Sequence, residues 1–225
     1  RQILKALSLE PVLIEARDEN RLQPVADDLI GLNAKGLLVA SPANPTGTML
    51  NRSAMTSLID ASRSAGTSFI SDEIYHGIEY EAKAVSALEI TNDAYVINSF
   101  SKYFSMTGWR VGWMVVPEDH VRVIERLAQN MFICPPHISQ VTALAAMDCT
   151  DELEANMRVY TANRALMLDE LPKAGLGAFA PPDGAFYVYV DVSAYTQDSR
   201  AFAAEILEKA GVAVTPGLDF DAKRG

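Results

Sequence analysis

Lys102 and Arg110 are the cations whose surroundings could do chemistry. Lys102 closes Ser99-Phe100-Ser101-Lys102, directly after the apolar run Ala94–Asn98. Arg110 follows eight positions on, inside Gly108-Trp109-Arg110-Val111-Gly112. Lysine is rarely buried without a partner, so one at the mouth of a buried strand calls for a reason. Desolvation lowers an amine's pKa and leaves it neutral, the form that condenses with an aldehyde. A guanidinium grips phosphate through a two-pronged fork, and Ser99 adds a hydroxyl. Together they fit a lysine that carries a phosphorylated aldehyde. Taken alone, the segment fits a surface lysine beside a surface arginine better.

Two upstream segments change that balance. The apolar run Gly36–Ala40 leads into Ser41-Pro42-Ala43-Asn44-Pro45-Thr46-Gly47, a dense turn cluster in which a cis Asn44–Pro45 bond is allowed. The run Ser68–Ser71 leads into Asp72-Glu73-Ile74-Tyr75. Each polar cluster therefore follows a separate strand. In open α/β sheets ligands bind beyond the carboxyl ends of the strands, so the three clusters are expected to converge on one crevice. For pyridoxal 5'-phosphate, each residue type has a task. Lys102 would condense with the aldehyde and later shuttle a proton, and Asp72 would pair with the pyridine nitrogen. Tyr75 and Asn44 would hydrogen-bond the phenolic oxygen, while Ser99 and Arg110 would hold the phosphate. Singly, each has a plainer reading: Asn44-Pro45 as a turn, Asp72 and Glu73 as caps, Tyr75 as a core edge.

The elements that must position these residues alternate. Pro11–Ala16 reads as a strand and Pro24–Leu32 has apolar residues at helical spacing. Asn51 caps a helix running to about Ala65, with Gly66 as its stop. The strands Gly36–Ala40, Ser68–Ser71, Ala94–Asn98 and Val111–Val116 follow one another with helical or loop segments between. The expectation is an α/β fold: a mainly parallel sheet with helices on both faces, forming a large cofactor domain. Beyond Pro117 the pattern turns helical over Glu118–Phe132, His137–Met147 and Asp151–Leu171. A turn at Pro181-Pro182-Asp183-Gly184 precedes a strand Ala185–Val192, a helix Ser199–Ala210 and a strand Val212–Thr215. This tail reads as part of a smaller α+β domain. The expected division is 1–130 for the large domain, 131–170 for interdomain helices and 171–225 for the small domain.

Composition narrows the function. The 225 residues are 49% hydrophobic and 21% charged, with a formal net charge of −10. No basic stripe points to nucleic acid, and no apolar run points to a membrane. Cys134 and Cys149 show no zinc spacing, and His76, His120 and His137 are scattered, so no metal site is expected. The cysteine usage fits a reducing cytoplasm.

The chain resembles the class I/II aminotransferases, the fold type I pyridoxal phosphate enzymes typified by aspartate aminotransferase. The resemblance rests on Ser41–Gly47, Ser71–Tyr75, Ser99–Lys102 and Gly108–Gly112, in that order and at family-like separations. Pro182-Asp183-Gly184-Ala185-Phe186-Tyr187 is similar to the start of the family's substrate-facing strand. The resemblance implies Lys102 as the Schiff-base lysine, Asp72 as the pyridine partner, Asn44 and Tyr75 as phenolate contacts, and Ser99 and Arg110 as phosphate ligands. Ser101 is a weaker candidate for the phosphate. It also implies amino-acid and 2-oxo-acid substrates, a ping-pong cycle and a homodimer. Family members are longer at both ends, and both ends here read as cut. Upstream they carry a phosphate-binding loop and a ring-stacking aromatic. Downstream they carry an arginine for the substrate carboxylate. The flanks of Arg224 do not match that motif, so Arg224 is left unassigned. A carbon–sulfur β-lyase shares the same lysine and aspartate chemistry, and a sensor domain of a transcription regulator shares the scaffold.

Overall fold

A computed structural model describes residues 2–221, so Arg1 and the tail that holds Arg224 lie outside the described residues. In chain order the elements are α1 (Gln2–Ala6), β1 (Gly36–Ala40), α2 (Arg52–Ser64), β2 (Ser68–Asp72), β3 (Tyr95–Ser99), β4 (Gly112–Val115), α3 (Val121–Met131), α4 (His137–Ala146), α5 (Thr150–Lys173) and α6 (Ser199–Ala210). The strands lie in the order β1-β2-β3-β4. The first three are parallel, with Val39 beside Ser71 and Ser71 beside Val96. β4 returns antiparallel to β3, placing Gly112 opposite Ser99. The fold is thus α/β around a mostly parallel sheet, as the alternation predicts.

Side chains alternate across a strand, and here the alternation sorts the faces. Val39, Phe69 and Val96 point to one face and pack against Met55, Leu58 and Ile59 of α2. Each such buried side chain contributes roughly 1.5–3 kcal/mol relative to exposure. Asn51 begins α2 as predicted, its Oδ1 accepting from Ala54 N at 2.9 Å. On the opposite face, beside Ile70 and Asp72, Leu38 is 63% exposed. Among the described residues α2 covers one face of β1–β3, and β4 is exposed along its length. No helix among them is long and apolar enough to cross a membrane.

Two smaller clusters hold the loops that matter. Phe100, Met106 and Val111 pack with Ala143 of α4. Tyr75, Ile78 and Ala185 pack with Met157 of α5, flanked by Tyr80, Tyr103, Tyr160 and Tyr187.

Three expected strands do not form. Pro11–Ala16 and Val212–Thr215 have the apolar content of strands, but among the described residues neither joins a sheet ladder, and a strand without a ladder is not one. Ala185–Val192 is replaced by a turn at Ala185, which takes φ +57°, and by isolated bridges that join Glu79 to Gly184 and Phe179 to Val190. Pro24–Leu32 shortens to a single 3-10 turn, Ala26–Leu29. There Asp28 Oδ2 accepts from Val25 N at 2.8 Å, and Gly31 at φ +77° ends the helical path.

Candidate active site

The β3–β4 hairpin explains why Lys102 and Arg110 stand eight residues apart. Phe100 N donates to Val111 O at 3.1 Å and closes a loop that carries both cations at its base. Buried Phe100 and Met106 anchor the loop, and Met106 N donates to Phe100 O at 3.0 Å. A tight turn follows Lys102, with Ser105 N donating to Lys102 O at 2.9 Å. Tyr103, next in sequence, lays its ring on Gly77. A Cβ at Gly77 would lie 2.6 Å from that ring, and Gly77 adopts φ +92°. Glycine is needed there on both counts. This contact joins the loop after β3 to the turn after β2.

Lys102 is half-buried rather than fully buried. Its Nζ lies 5.3 Å from the Tyr75 ring centroid and 5.8 Å from that of Phe186. Among the described residues it makes no hydrogen bond or ion pair, so its neighbours are ring faces. Asp72, at the carboxyl end of β2, lies close enough to feel the Lys102 charge. Burial pushes the Asp72 carboxyl above the ordinary carboxylate range. The backbone N–H of Ile74, 3.2 Å from Oδ1, pulls it back, Glu73 pushes it up, and His76 and Lys102 pull it down.

Tyr75 is 3% exposed. Its hydroxyl meets that of Tyr187 at 2.5 Å and the side-chain amide of Asn44. Burial first, then Tyr187, drives the Tyr75 phenol far above its usual range, while the Asn44 bond opposes them. Asn44 precedes a cis bond to Pro45, as the turn chemistry allows, and Ser41–Pro42 is cis too. Gln23, buried and unremarked in the sequence, secures this loop through its Nε2, which donates to Thr48 O at 2.8 Å.

The hydroxyls of Ser99 and Ser101 face each other at 2.9 Å. Ser99 Oγ also lies 3.2 Å from Val111 O and accepts from Ser101 N at 3.0 Å. A hydroxyl has one proton. If Ser99 gives its proton to Val111 O, the Ser101 proton is the one free to meet an anion. Arg110 takes φ +55° and donates from Nη1 to Thr107 O at 2.9 Å, leaving the rest of its exposed guanidinium available.

The sequence gives Tyr187 and His76 no role in the site, and Glu73 only that of a cap. Glu73 is 2% exposed and accepts from Ser71 Oγ at 2.9 Å and from Ala87 N at 2.8 Å. Its second oxygen lies 3.5 Å from His76 Nδ1, whose other nitrogen bonds Ser41 O at 3.1 Å. The carbonyl can only accept, which fixes a proton on His76 Nε2. Tyr187 had a signal, because it stands in the Pro182–Tyr187 segment, but nothing in the sequence ties it to a tyrosine 112 residues away.

An amine without a polar partner, a carboxyl raised by burial, a phenol and an amide together, and hydroxyls beside a guanidinium form a donor set that fits pyridoxal phosphate. Comparison with known proteins agrees. The family model for aminotransferase class I and II matches residues 1–224. This chain belongs to that family. The family's members depend on pyridoxal phosphate. The valine–pyruvate aminotransferase of Mycobacterium tuberculosis is 43% identical over 231 residues, covering 100% of this chain and 60% of the relative. A solved structure from Silicibacter pomeroyi is 74% identical with a TM-score of 0.98, covering 100% of this chain and 61% of that one. A mutant aspartate aminotransferase from Thermus thermophilus superposes with a TM-score of 0.89 at 30% identity, over 97% and 59% of the two chains. The chain thus spans about 60% of the length of these family members.

Proposed function

We propose that the protein is a pyridoxal phosphate-dependent aminotransferase that moves an amino group between an amino acid and a 2-oxo acid. The observation that carries this reading is Lys102 Nζ, held near the Tyr75 and Phe186 rings and within electrostatic reach of the Asp72 carboxyl. When bound, the cofactor supplies an aldehyde that condenses with amines and a ring that withdraws electrons. Lys102 anchors that aldehyde and, when free, carries a proton to and from the substrate α-carbon. Asp72, as a carboxylate, pairs with the ring nitrogen and keeps it protonated. Asn44 and Tyr75 hold the phenolic oxygen. Ser99 and Arg110 hold the phosphate, with Ser101 in support. The aromatic wall of Tyr75, Phe186 and Tyr187 suits an apolar substrate side chain. With the valine–pyruvate relative, it makes valine and pyruvate the first pair to test.

The reading includes a division into a cofactor domain over 1–130, linking helices over 131–170 and a small domain over 171–225. It includes a homodimer, supported by exposed apolar side chains on and after α3, among them Leu127, Met131 and Ile133. It places the protein in the cytoplasm, where the free Cys134 and Cys149 stay reduced.

The intact gene product, loaded with pyridoxal phosphate, should be yellow. Borohydride should fix the cofactor to Lys102, read by peptide mass spectrometry, and Lys102→Ala should abolish both colour and turnover. Valine and pyruvate should yield alanine and the 2-oxo acid. Absence of a Lys102 adduct sinks the proposal. Release of pyruvate and ammonia from a sulfur amino acid, without amino transfer, transfers it to β-elimination.

A further inference from the structure

Tyr75 needs its proton aimed at the cofactor, and a phenol turns freely about its C–O bond unless something directs it. A phenol oxygen has one proton and two lone pairs. The Asn44 side-chain amide lies near the Tyr75 phenol. Tyr187 hydroxyl stands 2.5 Å away. Either hydroxyl can donate across that contact, but once Tyr75 gives its one proton to an oxygen of the cofactor, only Tyr187 can.

The scaffold holds Tyr187 in that place. Asp183 N and Gly184 N donate to Gly47 O at 2.8 and 2.9 Å, and Ala185 N donates to Ile78 O at 2.9 Å. A Cβ on Gly184 would meet Pro42 Cγ at 2.6 Å, so the chain passes directly against the loop that carries Asn44. Tyr80 hydroxyl donates to Ala185 O. The Tyr75 and Tyr187 rings meet edge to face at 5.6 Å. Donors fixed by backbone contacts in this way act without reorganising at the moment of reaction.

We propose that Tyr187 is a positioning residue, the hydroxyl donor that orients Tyr75 and strengthens its hydrogen bond to the cofactor's phenolic oxygen. The proposal rests on the functional reading above and adds a role for a residue to which the sequence motifs assign none. Donation from Tyr187 polarises the Tyr75 O–H. A stronger bond to the phenolic oxygen lowers the pH at which the proton shared with the Lys102 nitrogen is lost.

The test uses the intact gene product as wild type, Tyr187→Phe, Tyr75→Phe and the double variant. Two quantities are read: pyridoxal phosphate affinity of the apoprotein by fluorescence quenching, and the pH midpoint of the visible absorption of the loaded protein. Tyr187→Phe keeps the ring and removes only the hydroxyl. It should weaken affinity about two- to tenfold and raise the midpoint by up to about one pH unit, the scale of one hydrogen bond. In the Tyr75→Phe background the same change should do nothing further, because the group it orients is gone. An unchanged midpoint in Tyr187→Phe, or a shift that persists in the double variant, overturns the proposal while colour and the Lys102 adduct leave the aminotransferase reading intact. A wild type that takes up no cofactor overturns both. Should Tyr187→Phe not fold, 3-fluorotyrosine at position 187, a more acidic donor, should lower the midpoint. No movement there overturns the proposal as well.

Discussion

Asp72 and Glu73 are neighbours with opposite surroundings. Glu73 is buried and holds Ser71 Oγ, Ala87 N and His76 together. Asp72 accepts one backbone bond, from Ile74, and feels the charge of Lys102. Glu73→Ala should therefore unfold more readily, by about 3 kcal/mol in a denaturant titration, because it orphans buried donors. Glu73→Gln, which keeps an acceptor, should lose less. Asp72→Asn should behave the other way. Its carboxyl is raised in the folded protein, so between the ordinary and the raised pKa the native state binds more protons than the unfolded state. Stability from this group then falls as pH rises through that window, and at neutral pH the part-buried charge is a burden on the apoprotein. Asp72→Asn should leave the apoprotein melting temperature at pH 7 equal or higher, and the difference should vanish below the ordinary carboxylate range. Turnover should fall about 100-fold or more, since the ring nitrogen loses its charged partner. A melting temperature that drops with Asp72→Asn at pH 7 would show the carboxylate to be structural.

The β3–β4 hairpin is the element on which Lys102 and Arg110 depend. Gly112 sits where a Cβ would approach Asn98 O to 2.6 Å, and that oxygen belongs to the strand backbone. Gly112→Ala should push the strands apart, lower stability by about 1–3 kcal/mol and weaken cofactor affinity with it. Thermal melting and fluorescence quenching read the two effects. Elements like these were legible in the sequence where their signals are local. For α6, Asp198 accepts from Arg200 N and Ala201 N at the start and Gly211 takes φ +67° at the end, so the sequence alone sets Ser199–Ala210. For β1, the turn cluster after Ala40 sets the stop. Segments that join no ladder among the described residues read as strands all the same, because apolar alternation records a buried face and says nothing of a ladder to join. Ala185–Val192 shows why: Phe186 and Tyr187 are apolar for the sake of an aromatic cluster with Tyr75 and Tyr160, not for a sheet.

At the scale of the whole molecule, the segment that delivers Phe186 and Tyr187 is tied to parts of the chain far away. Arg21 Nη2 donates to Asp183 Oδ1 at 2.9 Å across 162 residues, and also to Pro181 O at 2.7 Å. Asp183 Oδ2 accepts from Met49 N at 2.9 Å. The sequence reads Asp183 as a turn residue and gives no hint of these bonds, since pairings over such separations leave no periodic trace. The three site motifs were legible because each follows its own strand; the tie that brings a fourth segment to them was not. The two bonds of Asp183 differ in worth. The ion pair to Arg21 is largely exposed and contributes about 0.2–1 kcal/mol, whereas a half-buried backbone N–H left without an acceptor costs about 1–3 kcal/mol. Asp183→Asn keeps an acceptor for Met49 and should lose no more than the ion pair. Asp183→Ala orphans Met49 N and frees the turn, so it should lose clearly more stability. It should also weaken cofactor affinity in the same direction as Tyr187→Phe, because the turn sets where Tyr187 stands. Equal losses in a denaturant titration of the two variants would assign the tie to Arg21 alone and detach it from the placement of Tyr187.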